Sequence, residues 1–97
     1  MTATRVLAAL HRHRDGLKRY GVRTLGLFGS TVRGRARADS DLDFVVEFER
    51  KTFDDYMGLK FYLEDLFRKD VDLVIADAIK PALRSRILRG ARYAQGL

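Results

Sequence analysis

The sequence predicts a small α/β (α+β) domain, a mixed sheet of three to four strands with helices packed mainly on one face. Three observations carry this. The apolar run Val22–Phe28 stops at a Gly-Ser turn, Asp41–Phe48 alternates with a period of two, and Val71–Ile75 follows a stretch with helical periodicity. The 97 residues form one domain, 1–97, because a chain of this size supports a single core.

Residues 4–20 read as an amphipathic helix. Val6, Leu7, Leu10, Leu17 and Tyr20 recur at three- and four-residue steps, Thr2 or Thr4 is available as a cap, and Gly21 is a stop. His11 and His13, two apart, fall on different helix faces and make a poor metal pair. The first strand, Val22–Phe28, leads into Gly29, where backbone can approach a ligand closely. Ser30 is expected to cap a short following helix and leave nearby N–H groups for a phosphate. Gly29 and Gly34 stand five apart as in a Walker A loop, but Arg35-Ala36 occupies the place of Lys-[Ser/Thr], which excludes that motif.

In the second strand Leu42, Phe44, Val46 and Phe48 should enter the core. Asp41, Asp43, Val45 and Glu47 should line an open, reactive side, with Glu47 in a salt bridge or at the surface. Thr52 caps a helix running to about Lys69, with Leu59, Leu63, Leu66 and Phe67 inward and some of its aromatics exposed. The third strand, Val71–Ile75, carries Asp72, a lone carboxylate that needs a partner. Ile79-Lys80-Pro81 opens a last helix that packs through Leu83, Ile87 and Leu88 and stops at Gly90, followed by a short tail or edge strand.

With no cysteine, disulfides and thiolate metal sites are excluded. No run approaches the ~20 apolar residues of a membrane helix, so a cytoplasmic protein with no membrane partner is expected. The net charge of +6 suits polyanions such as nucleotide phosphates, an acidic protein or nucleic acid, the last not favoured by charge alone.

Asp41 and Asp43 share a strand face, and like charges so close repel. A hard cation such as Mg²⁺ relieves that repulsion and prefers oxygen ligands. Gly29-Ser30, ten residues, then Asp41-Leu42-Asp43 resembles the Gly-Ser-x10-Asp-x-Asp signature of the minimal nucleotidyltransferases, within the polymerase-β-like nucleotidyltransferase superfamily. Arg33-Gly34, Ala36 and Asp39-Ser40 extend the match, and Asp72 aligns with the family's third carboxylate.

The resemblance implies the nucleotidyltransferase fold. Asp41, Asp43 and Asp72 are then the catalytic and metal-binding carboxylates, and Gly29, Ser30 and Arg33 meet the nucleotide. One or two Mg²⁺ ions would serve transfer of a nucleoside monophosphate from an NTP, with ATP as substrate. A chain this short holds no acceptor domain, so the acceptor should arrive with its own surface. The family resemblance further implies an antitoxin that transfers AMP to a tyrosine of a HEPN-type RNase toxin encoded nearby. Two alternatives stay open: a small-molecule nucleotidyltransferase of the aminoglycoside-modifying kind, and a module that neutralises a toxin by contact alone.

Overall fold

The computed structural model describes all residues, Met1–Leu97. Four strands, β1 (Val22–Phe28), β2 (Leu42–Phe48), β3 (Val71–Ile75) and β4 (Arg92–Tyr93), form one sheet in the order β3-β2-β1-β4. β1 pairs antiparallel with β2 and with β4, whereas β2 and β3 run parallel. The parallel pair requires a crossover, and the intervening helix supplies it.

Helices α1 (Ala3–Arg12), α2 (Arg14–Lys18) and α3 (Phe53–Phe67) cover one face. Val6 and Leu10 of α1, Leu17 of α2, and Leu59 and Leu63 of α3 are fully enclosed there against Leu25, Leu27, Leu42, Phe44 and Val46. Phe44 stacks on Phe67 with ring centroids 6.0 Å apart, and truncating so buried a phenylalanine costs about 3–5 kcal/mol. The main core thus anchors the start of β2, where the acidic pair stands.

The first helix departs from expectation: it divides at His13 instead of running to residue 20. Thr2 caps α1 by accepting from the Arg5 N–H at 3.2 Å, and the His13 backbone leaves the helical region (φ −102°, ψ 18°). The side chain packed against this break comes from far along the chain. Tyr62 of α3 bonds His13 Nδ1 through its hydroxyl at 3.2 Å and lies so close to Gly16 that a Cβ there would push the Tyr62 side chain aside. At α3, Thr52 accepts from the Asp55 N–H at 3.0 Å, as expected of a cap. The helix ends two residues early, with Arg68 left-handed (φ 55°).

The second sheet face is not open along its length. Val45 is buried beneath a 3₁₀ turn (Ala76–Ala78) and helix α4 (Pro81–Gly90), in a small cluster with Ala76 and Ile79. Ile87 and Leu88 pack on this cluster, but Leu83 is 45% exposed and contributes no such packing. The expected packing role of Leu83 and the open face around Val45 are both corrected here. One helix turn and a 3₁₀ corner suffice to cover a single valine. Glu47, on the same face, accepts from the Thr24 hydroxyl at 2.9 Å and forms no salt bridge. The C-terminal tail is the edge strand β4, with Tyr93 opposite Gly26. No helix is long and apolar enough to cross a membrane.

Candidate active site

The site lies at the end of the second sheet face that α4 leaves uncovered. Phe28, the last residue of β1, is the register partner of Asp43 on β2, and Asp43 is in turn the register partner of Asp72 on β3. Neighbouring strands are ~4.8 Å apart, so pairing places these two carboxylates side by side on adjacent strands. Asp72 takes part in none of the three ion pairs of the fold, which removes the structural salt bridge as its explanation.

Gly29 follows Phe28 with φ +81°, a region that favours glycine, and a Cβ there would overlap the Asp43 carboxylate. The turn therefore lies directly against the carboxylate. Residues 29–34 form turns and no helix. The Arg33 N–H donates to the Gly29 carbonyl at 3.2 Å and the Arg35 N–H to the Ser30 carbonyl at 2.9 Å. The expected capping role of Ser30 fails for want of a helix to cap. Its half-buried hydroxyl beside the turn makes no hydrogen bond within the chain.

Asp43 holds its proton more tightly than an ordinary carboxyl. Burial is the largest cause, the charges of Asp72 and then Asp41 add to it, and Arg33 opposes them. Three carboxylates and one guanidinium thus act on one another electrostatically. They are not drawn into a closed cage: no three acidic, histidine or cysteine side chains are gathered closely enough to hold a metal alone. Mg²⁺ commonly takes one or two carboxylates and completes its shell with water and substrate phosphates. A half-buried Asp43 whose ionised form is disfavoured by its neighbours fits such a cation.

Four of the six predicted residues divide between two hollows, and Ser30 and Asp72 line neither. Gly29, Arg33 and Asp43 share a cleft of about 440 Å³ with Phe28, Val32, Arg86, Ile87 and Gly90. Asp41, exposed just before β2, lines a neighbouring hollow with Ser40, Glu64 and Lys69. Sequence reasoning missed Lys69, which it placed at the end of α3. Its Nζ donates to the carbonyls of Ala38 at 2.6 Å and Ser40 at 3.2 Å and so ties down the loop that delivers Asp41. The Leu42 N–H, donating to the Asp70 carbonyl at 3.1 Å, fixes the same junction. Arg86 was missed too, since nothing in the sequence distinguishes it from its neighbouring arginines.

A glycine turn thus lies against paired carboxylates at the end of a mixed sheet backed by helices. The family model described as nucleotidyltransferase domain matches residues 10–94. Protein adenylyltransferase MntA of Thermococcus cleftensis is 38% identical over 95 residues, 96% of each chain. A solved minimal nucleotidyltransferase superposes with a TM-score of 0.75 at 38% identity, covering 95% of both chains. This chain belongs to that family, the minimal nucleotidyltransferases. A crystal structure of a toxin–antitoxin with AMP-PNP shares the fold, with a TM-score of 0.70 at 22% identity over 90% of this chain and 73% of that one.

Proposed function

We propose that this chain transfers AMP from ATP, with Mg²⁺, to a tyrosine hydroxyl of a HEPN-type toxin and so acts as its antitoxin. The observation that carries the chemical part is the register pairing of Asp43 with Asp72 beside the Gly29 turn. Support for a protein acceptor comes from the 38% identity to a protein adenylyltransferase.

Asp41 and Asp43 would hold Mg²⁺, with Asp72 available to a second ion, and the metal would offset negative charge on the phosphates. The chain's own residues position and polarise. The Gly29 turn, free of a side chain, lets the triphosphate approach Asp43, while the Ser30 hydroxyl and the Arg33 guanidinium are free to bind its oxygens. The incoming hydroxyl oxygen bonds to the α-phosphorus, and the bond from that phosphorus to the bridging oxygen breaks. Pyrophosphate leaves, and Asp72 accepts the hydroxyl proton. Most of the acceleration would come from alignment and electrostatics.

Labelling ATP in turn at the α- and the γ-phosphate, with Mg²⁺ and the HEPN partner, tests the chemistry. Label is expected on the protein from the α position alone. Label from the γ position, or transfer to free tyrosine or an aminoglycoside as fast as to the protein, would overturn the reading.

A further inference from the structure

Resting on the nucleotide-transfer reading, we propose that Arg86 of α4 binds the outer phosphates of the nucleoside triphosphate from the α4 wall of the cleft that Asp43 also lines. Arg86 and Ile87 line the same cleft as Gly29, Arg33 and Asp43. The packing of Ile87 on the Val45 cluster anchors the α4 backbone beside Arg86.

The other arginines of α4 are engaged elsewhere. Arg84 pairs with Asp77 at 3.2 Å, and the Arg89 Nε donates to the Ser85 carbonyl at 3.3 Å. Arg86 alone among them has neither an ion pair nor a side-chain hydrogen bond, and it is the one on the cleft wall. Gly90, the last residue of α4, also borders the cleft, so the helix presents its C-terminal end there. That end carries partial negative charge and repels phosphate, so attraction for an anion on this wall falls to a side chain. A guanidinium matches phosphate oxygens with two parallel donors. The surroundings favour an anionic ligand further. From Ala78 to Leu97 the chain carries Lys80, Arg84, Arg86, Arg89 and Arg92 and no acidic residue.

Titration of the Mg²⁺-loaded protein with a non-hydrolysable ATP analogue, and with inorganic tripolyphosphate as competitor, tests this. Arg86→Gln is expected to weaken both about tenfold or more, the scale of a lost charge-assisted bond. Arg86→Lys, which keeps the charge but not the fork, should lie between it and the wild type. Arg89→Gln, a loss of charge on the same helix, should bind within about twofold of the wild type. Melting temperatures of the Arg86 variants should match the wild type, since Arg86 makes no ion pair to lose. Equal affinities for Arg86→Gln and Arg89→Gln would overturn the proposal, as would loss of the ATP analogue with tripolyphosphate unaffected. Wild-type protein that binds neither ligand would instead overturn the nucleotide-transfer reading, and the role of Arg86 with it.

Discussion

Asp43 and Asp72 are register partners across the parallel β2–β3 ladder, and neither is held in an ion pair. Burial and the negative charges of Asp72 and Asp41 together disfavour the ionised form of Asp43. Without a cation the pair destabilises the fold that presents it. Asp43→Asn is therefore expected to raise the melting temperature of the metal-free protein, or leave it unchanged, while weakening binding of the Mg²⁺-nucleotide and abolishing transfer. A melting curve and a titration on the same sample check this. Full transfer by Asp43→Asn at ordinary Mg²⁺ would sink the mechanism.

Asp72 stands on β3, reached only through α3, whereas Asp43 lies on β2 and Asp41 just before it. If it accepts the proton of the attacking hydroxyl, its contribution is confined to the transition state. Asp72→Asn should keep nucleotide affinity within a few-fold and slow transfer by roughly 10² or more. Calorimetric titration beside a single-turnover assay separates the two effects. Lost nucleotide binding in a stable Asp72→Asn protein would make Asp72 a primary metal ligand instead.

Gly29→Ala should damage both fold and site. A left-handed φ of +81° costs a non-glycine residue about 1–2 kcal/mol, and the new methyl group would displace the Asp43 carboxylate. Gly34, with φ +72° but nothing near its Cβ position, is the control. Gly34→Ala should lower the melting temperature by a comparable strain and leave Mg²⁺-nucleotide affinity near normal. Equal losses of affinity in both variants would count against a special role for the Gly29 approach.

Glu64 ties the start of β3. Its Oε2 accepts from the Val71 N–H at 3.1 Å and from Lys60 Nζ at 3.3 Å. The Val71 N–H first, then Lys60, holds its carboxyl below the ordinary 4.5. A carboxyl that is more acidic in the folded state contributes stability above its unfolded pKa and loses it as pH falls through the folded value. Glu64→Gln should therefore melt below the wild type at neutral pH, and the gap should narrow on acidification below about 4.5. A gap constant with pH would show that the charge is irrelevant.

The strands were legible because their signals are local. Val22–Phe28 and Val71–Ile75 coincide with β1 and β3, and the alternation over Asp41–Phe48 differs from β2 only at its first residue. The break at His13 was not legible, and the side chain that bonds His13 there, Tyr62, lies 49 positions further along. Parity placed Val45 beside Asp43 but could not show that α4 would cover one and leave the other at the cleft. The same limit hid Lys69 and Arg86: helix periodicity locates a residue on its own element and says nothing of the loop or cleft it will meet.

Transfer of AMP to a tyrosine of a HEPN partner would leave a covalent mark on that partner. Intact-mass measurement of that partner after incubation with this chain, ATP and Mg²⁺, followed by mapping of the modified residue, tests it most directly. A mass increase in whole adenylyl units is expected, located on tyrosine and absent with Asp43→Asn or with that tyrosine changed to phenylalanine. A partner of unchanged mass whose RNase activity is nevertheless blocked by the chain would contradict it and establish neutralisation by contact alone.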